Sequence, residues 1–348
     1  MYTMTSFEKY KNKGLTGLCN LGNTCYINSC MQILSNIPHL NDYIKIYLSN
    51  MKNMNDDKNY DVLFLSEWIK LYELMWSRNV TISPNRFIKV IRIIANEKDQ
   101  ELFAGFQQND VTEFIYFLLS CFHNGLKIND TNLWNINCNY IKENYDKTFY
   151  KYFTQYHNNN YSMIDYLFSI IYKIEFIDKE TNKVISTRYE NCYMLDIALI
   201  STSLEECICN HFKDESLDEE NDNQYYDDKR EIYIDVIKRT RIHRLPKIMT
   251  IQLKRWNINL RKNQRIIHFE NENMDISKYI SCNYQENENN YNLFGIINHS
   301  GNIFGGHYTS VVKNYNNKWY NYNDTHISEI KENQVKGNKN YVLFYRNV

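Results

Sequence analysis

The spacing of apolar residues changes once along this chain, and the change limits the folds that the chain can adopt. In the first third, apolar residues recur every three or four positions, for example from Leu65 to Leu74, which is typical of amphipathic helices. From about residue 172 onward, apolar and polar residues often alternate, for example from Met249 to Leu253, which is typical of strands. Helices that precede strands, rather than alternating with them, predict an α+β fold.

Size, charge and cysteine usage exclude several classes of protein. The 348 residues are 43% hydrophobic, which is enough for a large core in one domain with subdomains or in two or three domains. The net charge of −1 gives no general attraction to nucleic acid or to a membrane. The nine cysteines are an odd number, no secretory leader is recognisable, and no apolar run approaches the roughly 18 residues of a membrane span. We therefore expect a soluble intracellular protein, cytoplasmic or nuclear, with reduced thiols.

Four stretches carry no clear element pattern. Residues 1–13 are interpreted as a loose leader, and the polar residues 41–60 as a connection. Residues 123–165 are polar and aromatic without a clear period, so no element is predicted there. The acidic residues 214–228 are interpreted as a solvated loop.

Helix starts are marked by capping residues. Ser83 and Pro84 predict a helix start in the first third of the chain. Asp110, with Glu113 three residues later, predicts a capping box for a helix that continues to residue 122. Ser203 opens a shorter amphipathic helix in the same way. The pair Asp110 and Glu113 is equally well explained as a helix start and as a functional pair.

Strands are predicted through most of the second half. Residues 172–177 and 183–187 flank the turn DKETN and predict a hairpin. Further strands are predicted over residues 231–238, 247–256, 291–298, 307–313, 318–322 and 341–346.

A loop rich in Gly, Asn and Thr passes into a helical pattern within residues 14–40. Cys25 lies at or just inside the start of that helix, where Asn23 or Thr24 can act as the cap. The free backbone N–H groups and the positive end of the helix dipole favour a thiolate there, which is the reactive form of cysteine. The alternative is a small buried residue that packs under the helix, because most free cysteines are buried and inert.

A cysteine nucleophile needs a base, and a candidate lies near the other end of the chain. His307 follows Gly305 and Gly306, which leave room for backbone and substrate beside the imidazole. The next predicted strand ends with Asn323 and Asp324, and either can accept a hydrogen bond from the imidazole. The order Cys, His, Asn or Asp is the one that papain-like proteases use, so the three motifs together predict catalysis.

An oxyanion hole is also required for acyl transfer. The backbone N–H groups of Thr24 and Cys25 are candidates, and so is the side-chain amide of Asn20 in the same loop. An asparagine in a turn is an equally good interpretation of Asn20.

Long segments of the chain resemble one enzyme family. GLCNLGNTCYINSCMQIL resembles the cysteine box of the ubiquitin-specific proteases, and NHSGNIFGGHYTSVVKNYNNKWYNYND resembles their histidine box. QNDVTEF, RIHRLPKIMTIQLKRW and NYVLFYR resemble further family segments in the same order. The resemblance implies one catalytic domain over residues 14–346 with a papain-like cysteine protease fold. That fold has a helical thumb (about 14–165), β fingers (about 172–235) and a β-rich palm (about 236–346).

The resemblance also implies the catalytic residues. Cys25 corresponds to the nucleophile, His307 to the base, and Asn20 to the asparagine that stabilises the oxyanion. Asn323 falls at the third triad position, where many members carry Asp, and Asp324 follows directly. A neutral amide orients an imidazole but stabilises an imidazolium less than a carboxylate does. Whether Asn323 or Asp324 orients His307 stays open.

The resemblance further implies a substrate and a cleft. Asp110, Glu113 and Tyr308 fall where the family holds the arginine-containing C-terminal tail of ubiquitin. The partners expected are ubiquitin and ubiquitinated proteins, with no nucleic acid or membrane, and the protein is expected to be a monomer. The three glycines within residues 301–306 also suggest that residues 299–304 form a mobile loop over the tail channel.

The fingers of the family often bind structural zinc through two CxxC pairs, and this chain has no CxxC. Asp227 and Arg230 stand at the cysteine positions of one pair, and residues 178–186 contain no cysteine. Cys207 and Cys209 are expected to pack on their helix. We therefore predict no zinc and no other cofactor, with fingers held by strand pairing and packing alone.

The expected activity is thiol-dependent hydrolysis of isopeptide and peptide bonds at the C-terminal glycine of ubiquitin. Two alternatives stay open. One is a non-catalytic ubiquitin-binding module of the same fold, suggested by Asn323 and by the lost zinc ligands. The other is a protease that is specific for a ubiquitin-like modifier.

Overall fold

The computed structural model describes residues 8–51, 60–127, 131–158, 160–281 and 289–348. The helices in these ranges are α1 (Cys25–Ser35), α2 (Pro38–Met51), α3 (Tyr60–Ser77), α4 (Asn85–Glu97), α5 (Glu101–Ala104), α6 (Val111–Leu126), α7 (Thr131–Asn144), α8 (Lys147–His157), α9 (Met163–Phe168) and α10 (Leu204–His211).

The strands in the same ranges are β1 (Gly17–Leu18), β2 (Thr81–Ile82), β3 (Ile170–Asp178), β4 (Val184–Cys192), β5 (Leu195–Ala198), β6 (Glu215–Leu217), β7 (Tyr225–Asp227), β8 (Ile232–Ile234), β9 (Val236–Arg244), β10 (Ile248–Lys254), β11 (Met274–Asp275), β12 (Asn290–Asn302), β13 (Gly305–Lys313), β14 (Trp319–Asn323), β15 (His326–Ile330) and β16 (Asn340–Asn347). Most helices precede the strands, so the fold is α+β, as the change in apolar spacing predicts.

The helix that carries Cys25 lies in the centre of the core. Every residue of α1 is buried, and the helix packs against α6 on one side and against β12 and β13 on the other. A helix that is covered all round must satisfy its polar side chains internally. Gln32 does so through Nε2, which donates to the backbone oxygen of Thr16 at 2.8 Å, whereas its Oε1 has no hydrogen-bond partner among the described residues. The helix is therefore held rigidly between the helical part and the main sheet.

The main sheet has the order β15-β14-β13-β12-β16-β10-β5, and β11 pairs with the edge of β12. Neighbouring strands are antiparallel except β10 and β5. A second sheet has the order β4-β3-β9-β6, and β7 pairs with β8 in a separate hairpin. The predicted hairpin around DKETN is confirmed, since β3 and β4 pair antiparallel across that turn.

The predicted helix starts at residues 84, 110 and 203 are confirmed, but Asp110 and Glu113 do not form the predicted capping box. Pro84 directly precedes α4, and Asp110 caps α6 by accepting from the backbone N–H of Thr112 at 2.7 Å. Ser203 caps α10 by accepting from the backbone N–H of Glu206.

The interpretation of the stretch over residues 123–165 is wrong, because α7, α8 and α9 begin within it. Their contacts are mainly aromatic: the ring of Trp134 stacks on Phe153 with centroids 5.8 Å apart, and Tyr161 completes the same cluster. Large aromatic side chains reach the core from neighbouring helix positions, so the apolar period is obscured. Residues 41–51 are also helical, within α2, and residues 52–59 of the expected connection lie outside the described residues.

Part of the expected leader is packed. Residues 1–7 lie outside the described residues, but Glu8–Tyr10 form a short 3-10 helix. Tyr10 is only 6% exposed, with its ring 5.1 Å from that of Trp76 and 5.3 Å from that of Tyr315. Residues 8–13 are therefore docked on the core rather than loose.

The acidic stretch over residues 214–228 is also more ordered than a solvated loop. It contains β6 and β7, with a 3-10 turn between them. Asp218 caps that turn and pairs with Lys179 at 2.7 Å. Ion pairs thus contribute to this region, contrary to the expectation that strand pairing and packing alone hold it. No helix within the described ranges combines the length and the hydropathy that crossing a membrane requires.

Candidate active site

Cys25 is the first residue of α1 and is 1% exposed. Burial raises the pKa of its thiol above the ordinary 9.0; hydrogen bonds from the backbone of Tyr308 and Tyr26 lower it, and the charge of Asp324 raises it. The backbone N–H groups at the helix start lower the pKa, as expected, but burial outweighs them and the net shift is upward. A raised pKa favours the protonated thiol, so attack by Cys25 requires a base.

His307 lies near the start of β13, beside the residue that contacts the cysteine. α1 packs against β13, and the backbone N–H of Tyr308 is close enough to the thiol of Cys25 to lower its pKa. On the neighbouring strand, Asn323 places Oδ1 2.6 Å from His307 Nε2. An amide oxygen can only accept, so Nε2 carries the proton and the lone pair lies on Nδ1. In this tautomer Nδ1 is the nitrogen that can accept a proton.

Asp324 does not orient His307 in this structure. Its Oδ2 accepts from Asn20 Nδ2 at 3.0 Å, and its Oδ1 accepts from Asn28 Nδ2 at 2.7 Å. Its backbone oxygen accepts from Leu18 N–H at 2.9 Å. Asp324 adopts the left-handed conformation (φ 50°), which turns its side chain away from the direction of Asn323 along the strand. Asn323 therefore contacts the imidazole, and Asp324 holds the loop before Cys25.

That loop is folded around Asn20. Its Oδ1 accepts from the backbone N–H groups of Gly22 at 3.2 Å and Thr24 at 3.1 Å, while its Nδ2 is held by Asp324. The N–H of Thr24 is therefore engaged and is not a free oxyanion donor, contrary to one expectation. An amide nitrogen carries two N–H groups, so the second N–H of Asn20 can serve together with the backbone N–H of Cys25.

Two of the three residues expected to bind the tail lie in one cavity. Asp110 and Tyr308 line a cavity of about 90 Å³ together with Gln108, Trp256 and the turn before His307. Asp110 is already engaged, since it caps α6 through Oδ1 and accepts from Tyr341 Oη at 2.9 Å through Oδ2.

Glu113, the third of these residues, is exposed on α6 and does not line that cavity. The cavity therefore supports a binding role for Asp110 and Tyr308. It gives no such support for Glu113, which lies on α6 but outside the cavity.

Gln108 is a functional candidate that the sequence did not single out. Its Nε2 donates to the backbone oxygen of Gly306 at 2.7 Å, and its Oε1 accepts from the N–H of Gly306 at 2.8 Å. This double contact fastens the residue next to His307 to the segment before α6. The sequence signal for Gln108 is its place at the start of QNDVTEF, directly before the acidic residues.

Gly306 leaves room for a buried side chain, and both Gly305 and Gly306 line the cavity before His307. A Cβ atom on Gly306 would lie 2.3 Å from His299 Nε2, so the glycine allows this histidine to pack against the strand. His299 is 4% exposed, and Lys262 Nζ donates to its backbone oxygen at 2.6 Å. Pairing of β12 with β13 continues to Asn302, so most of the expected mobile loop is strand.

Comparison with known proteins identifies related sequences over nearly the whole chain. A family profile described as ubiquitin carboxyl-terminal hydrolase matches residues 16–345. Ubiquitin carboxyl-terminal hydrolase 2 of Bos taurus is 29% identical over 96% of this chain and 55% of its own length. The probable ubiquitin carboxyl-terminal hydrolase R319 of Acanthamoeba polyphaga mimivirus is 24% identical over 95% of this chain and 90% of its own length.

Solved structures show the same fold. A chain in the SAGA Ubp8/Sgf11/Sus1/Sgf73 DUB module bound to ubiquitin aldehyde superimposes with a TM-score of 0.73 at 22% identity, over 97% of this chain and 70% of that chain. The present chain spans only 55% of the length of the bovine relative. Because the family profile covers residues 16–345, the chain belongs to the ubiquitin carboxyl-terminal hydrolase family, as a ubiquitin-specific protease domain.

Proposed function

We propose that this chain is a deubiquitinase that hydrolyses isopeptide and peptide bonds at the C-terminal glycine of ubiquitin. The observation that carries the proposal is the junction of α1 and β13. It places the buried thiol of Cys25 against the backbone of Tyr308, next to His307, whose Nε2 lies 2.6 Å from Asn323 Oδ1. The relatives named ubiquitin carboxyl-terminal hydrolases support the substrate class.

Catalysis begins with proton transfer. The raised pKa of Cys25 keeps the thiol protonated, so Nδ1 of His307 takes the proton as the sulfur attacks the carbonyl carbon of the C-terminal glycine. Asn323 keeps the imidazole in the required tautomer through Nε2. The positive charge on the imidazolium is met by an amide dipole rather than by a carboxylate.

The carbonyl oxygen becomes an oxyanion as the carbon–sulfur bond forms. The second N–H of Asn20 and the backbone N–H of Cys25 are the proposed donors, and Asp324 holds the amide of Asn20 in place. Preorganised donors of this kind are each worth about 2.7–4 kcal/mol of barrier.

The tetrahedral intermediate collapses by breaking the carbon–nitrogen bond. His307 returns its proton to the leaving lysine or peptide amine, which leaves a thioester between Cys25 and ubiquitin. Water then attacks the thioester as His307 takes one of its protons. The second collapse breaks the carbon–sulfur bond, releases the ubiquitin carboxylate and returns the proton from His307 to the sulfur of Cys25.

The tail of ubiquitin is proposed to enter between the segment before α6 and the β12–β13 turn. The cavity there contains Asp110 and Tyr308, and a carboxylate at this point suits an arginine-containing tail. Asp110 keeps its contacts to α6 and Tyr341 while it presents negative charge to the channel.

The proposal also covers the partners, the oligomeric state and the cellular location of the protein. The net charge of −1 supports protein partners, namely ubiquitin and ubiquitinated proteins, over nucleic acid or membrane. We propose that the protein acts as a monomer, without a cofactor. The eight cysteines of the described residues are free thiols, which supports a cytoplasmic or nuclear location.

The test is hydrolysis of ubiquitin that carries a C-terminal fluorophore. The wild type should release the fluorophore, and Cys25→Ala and His307→Ala should reduce the rate by a factor of about 10³ or more. Ubiquitin with an electrophilic C-terminus should label Cys25 and no other cysteine.

Two outcomes would overturn parts of the proposal. Ubiquitin binding without hydrolysis or labelling in the wild type would identify a non-catalytic binding module. Hydrolysis of a ubiquitin-like modifier in a parallel assay, with no hydrolysis of ubiquitin, would reassign the substrate.

A further inference from the structure

The fingers of this fold family imply a structural zinc, and the residues at those positions do not fit one. Asp227 and Arg230 stand at the two cysteine positions of one expected CxxC pair, and Asp178 lies at the start of the other expected segment. A structural zinc site uses thiolate and imidazole ligands. A guanidinium has no lone pair to donate and carries a positive charge that repels a cation.

The structure brings these three residues together as ion pairs. Arg230 Nη1 lies 2.8 Å from Asp178 Oδ2, and Arg230 Nε lies 3.3 Å from Asp227 Oδ2. The side chain of Asp178 is 4% exposed and that of Asp227 is 11% exposed, whereas Arg230 is 45% exposed. The two carboxylates are covered, and the cation closes the cluster from the solvent side.

Each carboxylate also shapes its own turn. The second oxygen of Asp178 accepts from the backbone N–H groups of Glu180 and Thr181, both at 2.9 Å. The second oxygen of Asp227 accepts from the backbone N–H of Lys229 at 2.9 Å. One oxygen of each acid therefore fixes a hairpin turn, and the other holds Arg230.

The cluster joins two hairpins that belong to different sheets. Asp178 ends β3, in the four-stranded sheet, and Asp227 ends β7, in the separate β7–β8 hairpin. Packing also links them, since the rings of Phe176 and Tyr225 stack with centroids 4.6 Å apart. The contact of Arg230 with Asp178 adds a polar link at the turns, 52 positions apart in sequence.

We propose that Arg230 forms an ionic cross-link that stabilises the fingers of this chain in place of a structural metal. Its guanidinium, held between Asp178 and Asp227, fixes the β7–β8 hairpin on the β3–β4 hairpin. Arg230 is thus a positioning residue that holds the fingers in the shape that receives ubiquitin. This last step rests on the proposed deubiquitinase function, whereas the cross-link itself does not.

The test compares Arg230→Met with Lys229→Met. Both variants remove one positive charge from the same turn, and Lys229 is exposed. Hydrogen exchange at the backbone N–H groups of Thr181 and Lys229 should become about tenfold faster in Arg230→Met and stay unchanged in Lys229→Met. Arg230→Lys, which keeps the charge but not the forked geometry, should fall between them.

Metal analysis and kinetics complete the test. The purified wild type should contain less than stoichiometric zinc and keep its thermal midpoint when a chelator is added. With fluorophore-tagged ubiquitin, Arg230→Met should raise KM about fivefold and leave kcat within about twofold, because it disturbs binding rather than the site at Cys25.

Each unexpected result would contradict a different part of the proposal. Bound zinc, or loss of stability on chelation, would show that a metal holds the fingers and would overturn the proposal. Equal exchange in Arg230→Met and Lys229→Met would overturn the cross-link. Faster exchange in Arg230→Met together with an unchanged KM would overturn the positioning role. An inactive wild type with the expected exchange difference would refute the deubiquitinase function and leave the cross-link standing.

Discussion

Asp324 Oδ2 accepts a hydrogen bond from Asn20 Nδ2 at 3.0 Å, across a separation of 304 positions in the sequence. The two residues join the end of β14, the strand that carries Asn323, to the loop that precedes Cys25. Asn323 contacts the imidazole and Asp324 contacts the loop before Cys25, so adjacent residues hold the two halves of the candidate site.

This contact predicts that Asp324 acts through Asn20. Asp324→Ala should lower kcat by a factor of about 10², with little change in KM, because a misplaced amide stabilises the oxyanion less. Asn20→Ala should lower kcat similarly, and the double variant should be little worse than either single variant. Kinetics on fluorophore-tagged ubiquitin measure all three. Effects that multiply in the double variant would show that Asp324 acts independently of Asn20.

Replacing Asn323 by aspartate should shift the pH dependence of kcat/KM toward higher pH. In Asn323→Asp, a carboxylate beside Nε2 favours the charged imidazolium of His307. His307 should then stay protonated to higher pH, so the acidic limb of the kcat/KM profile should move up by about one pH unit. Asn323→Ala should instead lower kcat at every pH, because the ring loses its orientation. An unmoved acidic limb in Asn323→Asp would show that the two side chains do not interact.

The raised pKa of Cys25 predicts its reactivity without the base. In His307→Ala, alkylation of Cys25 by iodoacetamide should be slow at neutral pH and should increase only above about pH 9, since burial disfavours the thiolate. The wild type should react faster at pH 7, and the two proteins should converge in alkali. Peptide mapping separates Cys25 from the other cysteines. Rapid alkylation of the variant at pH 7 would show that the helix start is sufficient to make a thiolate.

His157 predicts loss of stability in acid. Burial is the main reason that its pKa is lowered to about 4. The charge of Asp165 partly offsets this effect, and the charge of Arg244 adds to it. The unfolded state takes up a proton as pH falls through 6.5, whereas the folded state does so only near 4. Stability from this group is therefore complete above pH 6.5 and is lost as pH falls to about 4, by about 3 kcal/mol.

Denaturant unfolding between pH 4 and 7 tests this, with His157→Phe as the variant. Phenylalanine suits the surrounding rings of Phe153 and Tyr161 and cannot titrate. The variant should lose less stability than the wild type over this range. Equal losses in the two proteins would assign the acid sensitivity to other groups.

The sequence was informative where the determinants are local. Asp110 and Ser203 were identified as caps because a cap depends on residues two or three positions away. Cys25 does begin a helix, as the apolar spacing predicts, although Thr24 at the N-cap makes no side-chain capping hydrogen bond. The order of nucleophile, base and orienting residue was recognisable because each lies in a distinct local pattern.

The sequence was uninformative where a property depends on distant contacts. The partner of Asp324 depends on a left-handed backbone at that residue and on a loop 304 positions away. The pKa of Cys25 depends on its burial by the whole core, which outweighs the local effect of the helix start. The contact between Asp178 and Arg230 requires two hairpins to meet, and neither turn carries a sign of the other.

Gln108 predicts that the position of His307 depends on a side chain from the helical part. Its two hydrogen bonds hold the backbone of Gly306, directly before the histidine. In Gln108→Ala, exchange of the Gly306 N–H should become faster, and kcat should fall about tenfold because the imidazole is less well placed. The matched control is Gln107→Ala, an exposed glutamine one position earlier, which should change neither quantity. Faster exchange with an unchanged kcat would show that His307 is positioned by Asn323 alone.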